Sequence, residues 1–301
     1  MRRILAGGKR KVYEGLEEQQ YQELADDQRS MQHAAYLRSA SGTNAAVVFI
    51  TGTRGRGSEV YFADGEYQAC LRRHLGLGPS NAEPAVRVCQ CGEAYESEEN
   101  KTHGTLCSIN KGLRTKLHNQ IVQTLCQLIR SMNPMAGAED IKMEQDVGQI
   151  VTAGAQGGPE HVTLVRADIV FKKGPTKFVI DAAVVNPAAK EFLRHPVDSH
   201  MHQDRAAVKT EIRKRKHYGR SSRDTGGLPA TIPAASVIPF VFESSGRLGP
   251  SALMFLNFIC GTQTFRRSAF ISDCAMICAR YNGKMLVATR NRYNAAPQNG
   301  G

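Results

Sequence analysis

The chain has no long apolar run. No stretch approaches the roughly 18 consecutive apolar residues of a membrane span, and the N-terminal "MRRILAGGKRKVYEG" is basic without the apolar core of a secretory signal. The reading is an intracellular protein with no membrane partner. Acids are scarce relative to bases: 28 Asp and Glu stand against 39 Lys and Arg, a net charge of +11 over 301 residues. That imbalance points to an anionic partner, nucleic acid before an acidic membrane surface. Internal repeats are absent too. What remains is ordinary for a globular protein, with 41% hydrophobic residues and length for one large domain or two small ones.

The eight cysteines are unevenly spread. In a reducing compartment, clustered Cys beside a His favours metal over disulfide. Cys89, Cys91, His103 and Cys107 supply three thiolates and an imidazole, the set that closes a tetrahedron around structural Zn²⁺. The polar "GEAYESEENKT" between the two halves has little to organise it without such a staple. Cys70 is a substitute ligand, and the plain alternative is free cysteines with a surface histidine. Cys260, Cys274 and Cys278 have no His beside them and read as core.

Residues 1–61 are expected to be an arm and linker, charged and Gln-rich at first, with a helix within "YEGLEEQQYQELADDQRSMQHAAYLRSA" and a short strand over "NAAVVFITG". A helix over "ADGEYQACLRRHLGL", capped by Asp64, joins the zinc knuckle to make a 62–112 unit. Leu113, Leu117, Ile121, Leu125 and Ile129 recur every fourth residue and predict a long helix. Strands follow near 141–145, 162–171 and 177–185, then a helix over about 200–218, a strand over "SVIPFVF" and a helix over "PSALMFLNFICG". That order predicts an α/β domain over 113–281 with one mixed sheet. From 282 the chain is expected to be a loose tail.

The stretch "RADIVFKKGPTKFVIDAAVVNP" holds two apolar runs joined at Gly-Pro, each carrying one aspartate where a core strand should be apolar. Reversal around "KKGPTK" brings Asp168 close to Asp181 on neighbouring strands. Two adjacent carboxylates repel, and burying them unpaired is costly. A divalent cation held only by oxygens, Mg²⁺ or Mn²⁺, removes both problems. The bland alternative puts both acids at strand ends, facing solvent or paired with Arg166 and Lys177. Just after the hairpin, residues 205–223 hold eight Lys or Arg and one acid, with Glu211, Lys214 and Tyr218 on one helical face. An ammonium there would stabilise phosphorane charge while the arginines hold phosphates, although a solvated basic face is the commoner use of such a run.

Together these segments resemble the C-terminal region of site-specific non-LTR retrotransposon proteins that carry a restriction-like endonuclease. The resemblance covers roughly 62–260. It rests on "ADGEYQACLRRHLGL" leading into "CQCG", then "HGTLC", and "KLHNQIV", which looks like the family's Arg-His-Asn helix with Lys116-Leu117 before His118-Asn119. It continues through "RADIV", "IDAAVVNP", "EIRKRKHY" and "PFVFESSGRLG". The resemblance implies a zinc knuckle followed by a restriction-endonuclease-like core with a mixed central sheet flanked by helices. Asp168 then matches the aspartate of the Pro-Asp motif, Asp181 the second metal-binding acid, and Lys214 the lysine that the helix supplies. Glu144 is an auxiliary acid or a surface residue. Arg213, Arg215, Lys216, His118 and Tyr218 become DNA contacts, and Cys89, Cys91, His103 and Cys107 the zinc set.

Implied activity is metal-dependent nicking of double-stranded DNA in the nucleus, freeing a 3′ hydroxyl that primes reverse transcription, with the element's RNA as a second nucleic-acid partner. Ala167 stands in place of the motif proline. Ala183 replaces the lysine two residues after the second acid, leaving Lys209, Lys214 and Lys216 as rivals for that role. "FADG" at Phe62 to Gly65 lacks the second acid of a polymerase motif, so the chain is expected to be a fragment or remnant whose reverse transcriptase lies elsewhere. The competing reading is a catalytically decayed, zinc-containing nucleic-acid-binding remnant; a third is a structural zinc protein without nucleic acid. In "PFVFESSGRLGP", Gly246 and Gly249 read as a tight turn, with phosphate capture on the next helix as the alternative.

Overall fold

A computed structural model of the chain describes residues 31–40, 62–74, 89–92, 103–134, 137, 140–152, 161–193, 202–223 and 237–294. The expected strand over "NAAVVFITG" lies outside them. Helix α1 spans Met31–Ala40, α2 Asp64–His74 and α3 His103–Leu106; α4, Lys111–Met132, is the long helix that the fourfold spacing predicts. Its buried stripe includes Leu117, Ile121, Leu125 and Ile129. After it come strands β1 Ile141–Thr152, β2 His161–Lys173 and β3 Thr176–Val185, helix α5 Arg205–Arg223, strand β4 Val237–Glu243, and helices α6 Pro250–Cys260 and α7 Thr264–Asn294. No helix among the described residues is long and apolar enough to cross a membrane.

The four strands form one mixed sheet in the order β1-β2-β3-β4. The first three are antiparallel neighbours, and β4 joins β3 in parallel after the crossover through α5. Gly174, at φ 58°, makes the β2–β3 turn in a conformation that a side chain would strain. Alternation along the strands sorts the core into two layers. Ile169, Phe171, Ile180, Ala182, Phe240 and Phe242 pack in one cluster with residues of α4, α6 and α7. On the opposite face Val147, Ala167, Val170, Val179 and Val237 cluster with Tyr218 of α5. Full burial of each phenylalanine contributes about 1.5–3 kcal/mol.

One expectation needs correction. The chain does not loosen at 282: α7 continues to Asn294, with Asn282, Met285, Leu286 and Thr289 buried. Two of those four are polar and Gly283 sits among them, which breaks the apolar rhythm by which a helix is recognised. The glycine is required by contact, because a Cβ there would lie 2.6 Å from the Glu66 carbonyl oxygen of α2. Among the described residues, the 62–112 segment packs against the last helix. Helix α7 carries α2, and Asn110, ahead of α4, donates to Gly104 O (2.6 Å) and to Thr289 Oγ1 (2.9 Å) of α7.

Candidate functional site

The sheet opens into a fork at the two aspartates. Pairing between β2 and β3 runs from Lys173↔Thr176 to Ile169↔Ile180, and beyond that point β3 follows β4 while β2 stays with β1. Asp168 and Asp181 are the next residues on the two diverging strands. At the fork the Asp168 carboxylate replaces a ladder carbonyl: its Oδ2 accepts the Ala182 N–H at 2.6 Å. Opposite Asp168, the β1 pairing skips Glu144, whose φ is 52°. Ala167 lies in the cluster beneath α5 and Ile169 in the cluster beneath α4. The disturbed alternation leaves Asp168 within reach of helices on both faces.

Those helices deliver a base each. From α4, His118 Nε2 approaches Asp168 Oδ2 at 3.3 Å. From α5, Lys214 Nζ meets Asp181 Oδ1 at 2.7 Å, with both side chains mostly buried. The Asp168 carboxylate lies near enough to Asp181 to act on its titration, and Tyr218, one turn after Lys214, donates its hydroxyl to Arg166 O at 3.4 Å. Burial pushes Asp168 upward, but the hydrogen bond and charge of His118, the Ala182 N–H and the Lys214 charge outweigh it and hold the acid below its usual range. Asp181 ends above its usual range, because burial and the neighbouring Asp168 carboxylate exceed the pull of Lys214. The Asp168 hydrogen bond keeps His118 protonated to higher pH than usual, against burial. Tyr218 is pushed far up by burial and then by the two carboxylates, so it stays a phenol. Two like carboxylates with unequal proton affinities and an ammonium alongside can bind a cation or hold a proton.

Other expected residues are placed elsewhere. Glu144 does not reach the acid pair; it forms an exposed ion pair with Arg166 at 2.6 Å. Glu211 leaves the Lys214 and Tyr218 face and accepts the Ser251 N–H at 3.0 Å and its hydroxyl at 2.6 Å, capping α6. That carboxylate occupies the helix end where a phosphate was the alternative. The glycines before it make the expected turn, with Gly246 at φ 96°. Lys209 donates to Glu191 O at 2.6 Å, Arg213 pairs with the Glu191 carboxylate at 2.9 Å, and Arg215 bonds Ser251. Lys216 is exposed. Of the three rival lysines, Lys214 is the one that meets an acid of the pair. His118, expected on DNA, is a partner of Asp168.

A second cluster lies ahead of α4. The ligand atoms of Cys89, Cys91, His103 and Cys107 all lie within 4.8 Å of one another. Cys89 Sγ is 3.6 Å from Cys107 Sγ, and Cys91 Sγ 3.3 Å from His103 Nε2. Gly92, at φ 89°, closes the first half by donating to Cys89 O at 2.7 Å. Arg114 of α4 fixes the second half through Leu106 O and Cys107 O at 2.9 and 3.2 Å. Burial, with the facing Cys89 and Cys91 thiols, pushes Cys107 up to about 11. A Cys107 thiolate at neutral pH therefore needs a cation among the sulfurs, and three sulfurs with one imidazole suit Zn²⁺. Cys70 is not a substitute ligand: its thiol donates to Ala279 O at 2.9 Å against α7. Cys260, Cys274 and Cys278 are core residues as expected.

No protein-family model matches the chain, and no curated protein sequence matches it.

Proposed function

We propose that the chain is a metal-dependent DNA endonuclease with a restriction-like core, of the kind that serves non-LTR retrotransposons. The observation that carries the reading is the fork, where Lys214 of α5 meets Asp181 of β3 at 2.7 Å and Asp168 is the next residue on the parting strand β2. The αβββαβ order from α4 to β4 and the basic α5 support it.

Asp168 and Asp181 would hold Mg²⁺ or Mn²⁺, which when bound lowers the pKa of a water and withdraws charge from a phosphate. His118 and the Ala182 N–H orient the Asp168 carboxylate. Lys214 stabilises negative charge that develops on the phosphate oxygens, and Tyr218 remains a neutral donor beside Asp181. Lys216 and the outer arginines Arg213 and Arg215 meet backbone phosphates, so affinity falls steeply with salt. Zn²⁺ at the Cys/His cluster is structural. In an intact element, acting in the nucleus beside its reverse transcriptase and RNA, the nick would prime reverse transcription.

One observation favours a second reading, the decayed binding remnant. Each acid already has a base against it, His118 on Asp168 and Lys214 on Asp181, and Ala183 stands where a second lysine would be. Supercoiled plasmid with Mg²⁺ or Mn²⁺ separates the two. Nicking by the zinc-loaded protein that Asp168→Ala, Asp181→Ala and EDTA abolish is expected. Folded proteins that all bind DNA in a salt-sensitive way and never nick would leave the remnant; no salt-sensitive binding would leave the structural zinc protein.

A further inference from the structure

Helix α6 is apolar nearly all round. Its 11 residues carry no charge, and Ala252, Phe255, Leu256, Ile259 and Cys260 face the core. A helix of that composition is normally buried on every side. Here the other face is open: Leu253, Met254 and Phe258 are 42%, 72% and 51% exposed. Phe265, 82% exposed, stands in the first turn of α7, which Arg267 ties to the same face by bonding Asn257. Single exposed apolar residues are ordinary, but four on two adjoining helices make the kind of patch that marks an interaction site.

The charges along this face are basic. Lys173, at the β2–β3 turn, stands 4.7 Å over the Phe258 ring. Arg267 lies against Asn257, and Arg266 donates to Ser131 O at 3.1 Å. Neither residues 169–180 nor residues 250–272 include an acid. Asp140, just ahead of β1, accepts the Gly137 N–H at 2.9 Å. The patch is therefore an apolar ridge edged with positive charge.

That chemistry selects among occupants. A second copy would set the same bases against themselves across a twofold axis, and like charges oppose it. A stacked nucleobase needs an open ring face, but Phe258 has Lys173 over its ring and Phe178 at 5.4 Å, while Leu253 and Met254 offer no ring at all. A lipid surface is entered by apolar side chains that project past the charges, whereas Lys173 and Arg267 are folded onto the ridge at its own level. A protein segment with apolar residues at helical spacing and carboxylates on their flanks meets both requirements.

We infer that the open face of α6, with Phe265, is a docking site for an acidic amphipathic helix of another protein. The apolar residues of that helix pack on Leu253, Met254, Phe258 and Phe265, and its carboxylates pair with Lys173, Arg266 and Arg267. Lys173 is five residues along β2 from Asp168, about 17 Å at the strand rise. The site is thus separate from the fork and does not rest on the endonuclease reading.

The test uses the full zinc-loaded chain and three short fluorescent helical peptides. One places Leu and Phe at i, i+3, i+4 and i+7 among Glu and Asp; the second has Lys in place of the acids; the third has Ser in place of Leu and Phe. Anisotropy should show the first bound at micromolar concentration and the other two at least about tenfold weaker. Met254→Ser/Phe265→Ser should weaken the first peptide about tenfold with Tm unchanged or raised, because both side chains face solvent. Lys172→Glu/Lys173→Glu should weaken the acidic peptide and strengthen the basic one.

Equal binding of the acidic and basic peptides, or an affinity that Met254→Ser/Phe265→Ser leaves unchanged, would overturn the inference. So would another occupant revealed by the same double variant: loss of a concentration-dependent dimer in sedimentation, of binding to phosphatidylserine vesicles, or of binding to single-stranded DNA. Plasmid nicking is measured on the same preparations and should be equal in the parent and this double variant, so failure of the docking site and failure of the endonuclease reading are seen separately.

Discussion

Replacing Lys214 with methionine removes the charge from the fork while keeping most of the side-chain volume. The ion pair it breaks is 2.7 Å long between side chains 20% and 17% exposed. Leaving one partner of a fully buried pair uncompensated costs about 3–5 kcal/mol. Residual exposure and proton uptake by Asp181 reduce that here to about 2–3 kcal/mol near neutral pH. The loss has a defined pH dependence. Asp181 already sits above its ordinary value through burial and the Asp168 charge, and the variant removes the Lys214 pull that opposes them. A carboxyl raised in the folded state is fully stabilising below its unfolded pKa, and loses that contribution as pH rises through its folded pKa. The variant should therefore match the parent near pH 4 and fall behind as pH rises toward 8.

Urea unfolding at both pH values measures this, and Lys214→Met/Asp181→Asn supplies the control. With both charges gone, the double variant should recover most of the stability at pH 8. Neither variant should nick DNA, so stability and activity part company. A loss equal at both pH values, or a double variant no better than the single one, would refute the electrostatic account of the fork. Full nicking by Lys214→Met would remove the lysine from the proposed chemistry.

Three further outcomes are expected. NMR titration should find His118 protonated to higher pH than an ordinary histidine; in Asp168→Asn, where burial is left to dominate, it should fall to the ordinary value or below. Its contribution to stability is present at low pH and is lost as pH rises through that elevated pKa. Elemental analysis should give about one zinc per chain; Cys107→Ser should lose the metal, and chelation of the parent should expose the segment around 89–107 to protease. Gly283→Ala should lower stability by about 1–3 kcal/mol in urea unfolding, since its Cβ would meet the Glu66 carbonyl oxygen at 2.6 Å.

Much of the fold was legible because its signals are local. The α4 stripe, the Gly-Pro hairpin and the apolar β4 each announce themselves through spacing or turn chemistry within a dozen residues. The misreadings arose where a buried residue is polar or a glycine serves a neighbour. Asn282 and Thr289 are buried because they bond Ser244 and Asn110, partners far away in sequence, so the last turns of α7 carry no apolar stripe. Glu211 looked like a member of the Lys214 face, yet α6 presents it with unsatisfied N–H groups and takes it away.

By itself the sequence determined the composition of both clusters, because thiols with an imidazole and two strand aspartates at a turn are chemically unusual wherever they fall. It also determined the strand that each aspartate rides, since side-chain alternation and the turn fix register locally. Only the tertiary structure decided which bases meet those acids. Lys214 rather than Lys209 or Lys216 reaches Asp181, and His118 crosses from the opposite layer to Asp168. That choice depends on where two strands part and on how two helices lie across opposite faces of one sheet, distances set by core packing that no short stretch of residues encodes.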